Sequence, residues 1–331
     1  MVGPAFDVLG LGNAIVDVFA HTAEADLDRL GLAKGAMTLI DVETVERLYA
    51  QMGPAVESSG GSCANTMAAI ASLGGRAAYI GRVRDDQLGA VFGHDMRAAG
   101  VTFRSAPARE GLPTARCLVF VTPDAQRSMA TYLGACVELA PADVDAELVR
   151  AAAITFLEGY LWDRREAKAA CLEAAAQAHA AGGKIALTLS DSFCVDRWRA
   201  EFRALIDDHV DILVANEAEI TSLFENDSFE DAIGLTRERG LTAALTRGPL
   251  GCVVLDADEV VEVPQDPVER VVDTTGAGDA FSAGFLYGLS RGFELEQCGR
   301  LGNRAAARVI GQLGARALDP LAPLVAELAA A

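Results

Sequence analysis

The chain has 331 residues, 51% of them hydrophobic, and a formal net charge of −19. That length suits one large α/β catalytic unit with a small appendage. The apolar runs are short and broken by charge or glycine, so none could span a bilayer, and no basic cluster exists to neutralise nucleic-acid phosphates, which excludes both as partners.

The first residues, MVGPAFDVLGLG, lack the basic start and long apolar core of a signal peptide. Seven scattered cysteines without a CxxC pair read as reduced core residues, so a cytoplasmic protein is expected. Residues 7–11 form an apolar strand candidate leading into GLGNAIVD. Gly10 and Gly12 begin a dinucleotide fingerprint, but Ile15 stands at its third glycine and the following residues read as strand, so that motif fails. What is left is a turn presenting Asn13 and Asp17, the latter with two oxygens suited to vicinal hydroxyls. Residues 36–40 are a further strand, and residues 42–51 an amphipathic helix with Asp41 as its N-cap.

Gly60 and Gly61 precede a helix over about 63–73, so backbone amides face whatever lies before it. A strand at 77–81 is followed by a turn and a helix through RVRDDQLGAVFGHDMRAAGV. Between 101 and 132, VTFRS, ARCLVFVT and RSMATYL read as short strands separated by glycine and proline turns, a meander that suggests a separate small sheet. Beyond Ala142, strands at 154–157, 184–189, 212–215, 243–246 and 252–255 alternate with helices near 164–181, 195–208 and 229–239. This is the grammar of a mostly parallel sheet covered on both faces, whose ligands bind outside the carboxyl ends of its strands. Asn216 and Glu219 of NEAE stand at such an end, and locally they also fit a capping box.

The stretch VVDTTGAGDAFSAGFLYGL, residues 271–289, reads as a short β segment, a glycine turn and a helix. Gly276 and Gly278 let their amides approach a ligand, and the unpaired first amides of the helix make an anion seat. Asp279 lies in the first turn, where the helix dipole is expected to hold it ionised, beside that seat. The pair suggests a base that deprotonates a hydroxyl while the amides receive a phosphoryl group. No histidine pairs with a nucleophile motif and no GxxxxGK[ST] is present, which excludes a triad hydrolase and a P-loop enzyme.

DTTGAGDAF, residues 273–281, resembles the signature of the ribokinase-like (PfkB) kinase family, which also contains the adenosine kinases. The resemblance extends over nearly the whole chain in the family's order: NxxxD (Asn13, Asp17), GGxxxN (Gly60, Gly61, Asn65), NxxE (Asn216, Glu219), TRG (Thr246, Arg247, Gly248) and then DTTGAGDAF. It implies a ribokinase-like three-layer α/β sandwich, one domain over 1–331, with a β-sheet lid drawn from about 16–40 and 101–133. It also implies Asp279 as the general base, the amides of Gly276, Ala277 and Gly278 as an anion hole, and Arg127 directed at the transferring phosphate.

By the same resemblance, Asn13, Asp17, Gly60, Gly61 and Asn65 hold the acceptor. Asn216, Thr246, Arg247, Gly248 and Asn303 hold the nucleotide, with Glu219 acting on Mg²⁺ through water. Gly81, Asp85 and Gly89 match a further family motif in which Arg84 replaces a glycine frequent in sugar kinases, a departure that favours the nucleoside branch. The implied activity is transfer of the γ-phosphoryl of ATP to the 5′-hydroxyl of a nucleoside, adenosine first. The alternatives are a sugar kinase acting on ribose, fructose or 2-keto-3-deoxygluconate, and a non-catalytic nucleotide-binding protein. Met37, Leu39, Phe103, Leu118 and Phe120 are candidates for the wall around a base or for the lid's own core. Activation by K⁺, and a monomer versus a lid-mediated homodimer, are left open by the resemblance.

Overall fold

The computed structural model describes residues 3–124 and 126–329. In chain order the elements are β1 (Phe6–Leu11), β2 (Ile15–His21), α1 (Glu24–Leu30), β3 (Met37–Leu39), α2 (Val42–Tyr49), β4 (Ala55–Gly60) and α3 (Ser62–Ser72). There follow β5 (Ala77–Ile80), α4 (Gln87–Ala98), β6 (Thr102–Phe103), β7 (Ala115–Val121), β8 (Arg127–Tyr132), α5 (Ala146–Ala151), β9 (Ala152–Glu158), α6 (Arg165–Ala180) and β10 (Lys184–Thr188). The remainder comprises α7 (Ser192–His209), β11 (Ile212–Asn216), α8 (Glu217–Phe224), α9 (Phe229–Glu238), β12 (Thr242–Thr246), β13 (Cys252–Leu255), β14 (Val260–Val263), α10 (Ala277–Ser290), α11 (Leu295–Ile310) and α12 (Ala322–Ala329).

A nine-stranded sheet runs in the order β14-β13-β12-β11-β10-β9-β1-β5-β6, parallel from β12 through β6 and closed at the other edge by the antiparallel pair β13 and β14. Strands buried on both faces need apolar residues at every position, which is why β1 and β11 read as continuous runs. Their side chains still alternate between two cores. Val8 and Ala186 pack with α3, α10 and α11 on one face, while Leu9, Leu11, Ile185 and Leu187 pack with α6 and α7 on the other. Helices thus cover both faces, giving the expected three layers.

The second sheet is five-stranded, in the order β3-β8-β7-β2-β4. One face carries Val16, Val18, Leu118, Phe120 and Ala130 into the core beneath α1 and α2, and the opposite face carries Ile15, Phe19, Cys117, Val119 and Val121. Several expectations need correction. VTFRS does not join this sheet: Thr102 and Phe103 pair with Ala78 and Tyr79 at the edge of the large one. The place is taken by β4, whose sequence AVESSG has too little apolar content to read as a strand but pairs antiparallel with β2 from Ile15–Gly60 to Ala20–Ala55. Asp17 is therefore in mid-strand, not in a turn. Residues 271 and 272 form no strand; the amides of Val272 and Asp273 both donate to the carbonyl of Ile310 at the end of α11. Asp86, one residue beyond Asp85, is the carboxylate that caps α4, accepting from the amide of Gly89 at 2.8 Å. Phe103, Leu118 and Phe120 are buried core, and Met37 and Leu39 are exposed.

The helix that bears Asp279 is placed by a close crossing. α10 and α11 run antiparallel, and Gly284 lies so near α11 that an added Cβ would come within 2.7 Å of Leu301 and Gly302 backbone atoms; at Gly288 it would meet Cys298. Neither helix backbone can yield cheaply. Gly284→Ala is expected to lower stability by about 1–3 kcal/mol, the usual range for overpacking, and to weaken turnover by displacing the head of α10. Denaturant unfolding combined with kinetics would check both effects.

Candidate active site

Three stretches meet at Asp279. Gly276 caps α10 in the left-handed conformation (φ 78°), and a Cβ there would lie 2.4 Å from the carbonyl oxygen of Ala315, so only glycine lets the turn sit flush against the 313–318 loop. The amide of Ala277 donates to the Thr274 carbonyl at 3.2 Å. Those of Gly276, Gly278 and Asp279 have no acceptor among the described residues, and the space above Gly278 is open. The head of α10 thus leaves the amides of Gly276, Gly278 and Asp279 open, while that of Ala277 is engaged within the turn.

The carboxylate of Asp279 accepts from the Ser62 hydroxyl at 2.6 Å through Oδ1 and from the Asn65 amide at 3.1 Å through Oδ2. Burial raises its pKa above the ordinary aspartate value, opposed by these two hydrogen bonds and by the charge of Arg316. The helix end is therefore not the only influence on this carboxylate: enclosure by α3 and the loop opposes ionisation, and the two hydrogen bonds and Arg316 favour it.

Gly60 and Gly61 form the joint between β4 and α3. A Cβ on Gly60 would strike the Asp17 carboxyl group at 2.2 Å, and one on Gly61 (φ 92°) would lie 2.3 Å from the Asn13 carbonyl. The glycines thus allow the second sheet to lie directly on the head of α3. Asp17, on the cleft-facing side of β2, has its pKa pushed up to about 7 by burial; Arg316 and Arg127 oppose the shift and Asp279 adds to it. Asp17, Asn65, Arg127 and Arg316 share a cleft of about 510 Å³ whose other walls are apolar, among them Phe19, Val56, Val121 and Leu318.

Asn13 is not in that cleft. Its side-chain amide donates to Glu158 at 2.7 Å, and its residue lines a smaller cavity of about 270 Å³ with Leu39, Leu133, Val137 and Tyr160. Glu158, at the carboxyl end of β9, also accepts from the amides of Cys63 at 3.0 Å and Asn13 at 3.3 Å, and burial pushes its pKa up to about 7. Sequence reasoning missed Glu158, Ser62 and Arg316. Ser62 could have been found as the first helical residue after Gly61.

Asp279 itself lines a separate cavity of about 260 Å³ with Ser62, Thr188, Asn216, Glu219, Thr246 and Gly278. Both readings of NEAE hold in part. Asn216 and Glu219 form a reciprocal capping box, with the Asn216 amide donating to Glu219 Oε2 at 3.0 Å and Glu219 N donating back at 2.9 Å. The box faces the cavity. Glu219 is buried and its pKa is pushed up to about 7, first by burial. Among the described residues no group of three metal-ligating side chains is found, so a magnesium ion here would be held mainly by phosphate oxygens and water, a role that one indirect carboxylate such as Glu219 fits.

The softer expectations fare differently. Arg247 reaches Glu217 at 3.4 Å and stacks over Phe229, and Gly248 (φ 56°) opens a single 3-10 turn; neither lines this cavity. Asn303 is buried and its amide donates to the carbonyls of Val263 and Pro264, so the side chain holds the exit of β14. Arg127 is ion-paired with Asp273 at 2.5 Å and lies over Phe19, with its guanidinium in the acceptor-side cleft.

Residues 35–321 match the family model described as pfkB family carbohydrate kinase. The chain belongs to the PfkB family. Its fold superposes on a solved structure described as adenosine kinase from Sinorhizobium meliloti (52% identical, TM-score 0.89, covering 97% of this chain and 99% of that one). It superposes equally well on a probable sugar kinase from Rhizobium etli (48% identical, TM-score 0.90, 98% and 99% covered). Fructokinase-1 of Oryza sativa subsp. japonica is 31% identical over 79% of this chain and 83% of its own length. The protein is thus a PfkB kinase that transfers a phosphoryl group from ATP to a hydroxyl of a sugar or nucleoside. No described helix is long and apolar enough to cross a membrane.

The buried carboxyls make stability depend on pH. A carboxyl whose folded pKa exceeds its unfolded value contributes stability that is full below the unfolded pKa, about 4.5 for Glu158, and is lost as pH rises through about 7. Glu158→Gln, with the Asn13 amide turned over, can keep the hydrogen bonds without the titration. The fall in unfolding free energy between pH 5 and 8 should be smaller in this variant than in the parent by on the order of 3 kcal/mol, measured by urea denaturation across that range.

Proposed function

We propose that this PfkB kinase phosphorylates the 5′-hydroxyl of a nucleoside, adenosine first. The observation that carries the reading is that Asn65, which lines a cleft combining Asp17 with apolar walls, donates to Asp279 at the head of α10, where the amides are open. A free sugar presents hydroxyls on all sides and gains little from Phe19, Val56, Val121 and Leu318, or from Leu39 and Val137 in the adjoining cavity. A nucleoside presents a polar sugar and a flat, largely apolar base. The 52% identity to a protein described as adenosine kinase supports the same choice.

In the proposed reaction Asp17 and Asn65 receive the ribose hydroxyls, which brings O5′ to Asp279. As the bond from O5′ to the γ-phosphorus forms and the bond from that phosphorus to the β,γ-bridging oxygen breaks, the proton of O5′ passes to the Asp279 carboxylate and ADP leaves. The amides of Gly278 and Asp279 hold the negative charge of the transferring group. Magnesium, on the Glu219 side, would supply further charge neutralisation on the phosphates. Arg127 contributes positive charge from β8, and the second sheet covers the acceptor so that water does not compete with O5′. Without an acceptor, Asp17 sits near its pKa; hydroxyl donors favour its ionised form.

ADP release from MgATP should be fast with adenosine and slow with ribose, fructose and 2-keto-3-deoxygluconate, measured in parallel with and without potassium. Turnover on a free sugar alone would replace the acceptor and leave the phosphoryl chemistry standing. Asp279→Asn should bind adenosine and ATP normally yet lose ~10²–10⁴-fold in kcat, and near-normal turnover would remove Asp279 from the role of base. Asp17→Asn should act chiefly on binding, raising the nucleoside KM by about 10-fold or more through loss of charged hydrogen-bond acceptors.

A further inference from the structure

Arg316 lies in the 311–320 stretch, GQLGARALDP, after α11 and outside every motif, though its loop touches the glycine turn in space. That loop is held by the catalytic turn. The amide of Gly314 donates to Asp273 Oδ2 at 2.9 Å, Ala315 fills the space that Gly276 leaves by lacking a Cβ, and Gln312 donates to the Arg316 carbonyl at 2.6 Å. The guanidinium is therefore delivered to a defined place. Its Nε donates to Asn65 Oδ1 at 2.9 Å, its Nη1 to Ser59 Oγ at 2.8 Å on β4, and its Nη2 lies 3.7 Å from Met96 Sδ.

Each of those partners is neutral. No carboxylate lies within ion-pairing distance of Arg316 among the described residues, although Asp17, Asp95 and Asp279 face it from farther away. Arg316 is half-buried at the edge of the cleft, and a guanidinium stays charged at any working pH, so holding it on three neutral partners is poorly explained by packing alone. Its effect on Asn65 is specific. Arginine can only donate, so the carbonyl oxygen of the Asn65 amide turns towards it and the NH₂ turns towards Asp279, where it donates to Oδ2. A reversed amide would set donor against donor at one end and acceptor against acceptor at the other.

We propose that Arg316 is a positioning residue for phosphoryl transfer: through Asn65 it sets the orientation of the Asp279 carboxylate, and its charge helps keep that carboxylate ionised. This rests on the reading of Asp279 as the base. The groups facing Asp279 are Ser62, Cys63 and Asn65 from α3, Asp17 from β2, Glu158 from β9 and Arg316 from the loop after α11. Only Arg316 among them carries positive charge, so its removal moves the titration of Asp279 upward and the acid limb of activity with it.

The test compares Arg316→Gln, Arg316→Lys and the parent, with kcat/KM for MgATP recorded at saturating adenosine from pH 5 to 9 so that Asp17 is covered by substrate. Arg316→Gln should lose ~10–100-fold in kcat, the scale of a small misplacement of a reacting group, and the loss in kcat should exceed any rise in adenosine KM that follows from turning Asn65. Its acid limb should lie about one pH unit higher. Arg316→Lys keeps the charge without the fork, so its acid limb should match the parent while kcat is still reduced; it also decides the matter if the Gln variant does not fold. Free guanidinium should restore part of the activity of Arg316→Ala. Parent-like kcat and an unmoved acid limb in Arg316→Gln, or a loss confined to KM, overturns the proposal. Asp279→Asn run alongside separates the two readings: if it retains turnover, the base assignment itself has failed, whereas if it alone loses turnover, only the role of Arg316 is refuted.

Discussion

The meeting of two helix N-termini on one carboxylate is the constraint on which the site depends. α3 begins at Ser62 and α10 at Ala277, and Ser62 and Asn65 of the first both donate to Asp279 in the first turn of the second. Both helix ends carry partial positive charge, and both follow a glycine in a positive-φ conformation, Gly61 and Gly276, that lets another chain segment press close. Such an arrangement favours negative charge from two directions, which suits a reaction that gathers a carboxylate, a proton-losing hydroxyl and a phosphoryl group in one small volume. It also half-buries Asp279, so the same packing that creates the favourable field opposes ionisation by desolvation. Hydrogen bonds and the guanidinium of Arg316 supply the balance.

A net charge of −19 makes a polyanionic co-substrate unwelcome at long range, and the local arrangement answers this without a basic patch. Asp17, Glu158 and Glu219 surround the reacting centre, yet burial pushes each up to about 7, which weakens the negative field they present to a phosphate. Open amides at the head of α10 then present positive ends to the phosphates. The buried acids are also committed internally: Glu158 to Asn13 and Cys63, Glu219 to Asn216. Their hydrogen bonds tie the carboxyl ends of β1 and β9 to the head of α3, and the end of β11 to α8.

Most of the large sheet was legible because its strands are buried on both faces and its helices begin at recognisable caps; Asp41 and Asn216 cap α2 and α8 as their spacing implies. The glycine turn and its aspartate were legible because close approach leaves glycine as the residue that fits. β4 was hidden since half of AVESSG is polar and its pairing with β2 is set by tertiary contact. VTFRS carried a strand signal without any indication of which sheet would receive it, and only the pairing with β5 decides that. The hydrogen bonds of Asn303 to the carbonyls of Val263 and Pro264 were not legible, because those partners are some forty residues away in sequence.

Arg316 illustrates the limit in physical terms. Nothing local distinguishes an arginine between glycine and proline in a C-terminal loop from a solvated one, and its Asn65 partner is 251 positions away. What brings it inward is Gly276, whose missing Cβ admits Ala315, together with Asp273, whose carboxylate accepts from Gly314. The DTTGAGD stretch therefore does two jobs. Its last residues present the amides and the carboxylate, and its first, Asp273, together with Gly276 seats a loop that returns a cation to that carboxylate by way of Asn65. The turn and the loop were separable in the sequence only because the contact between them is made by an absence of side chain, and such contacts leave their trace as a glycine at one partner and no signal at the other.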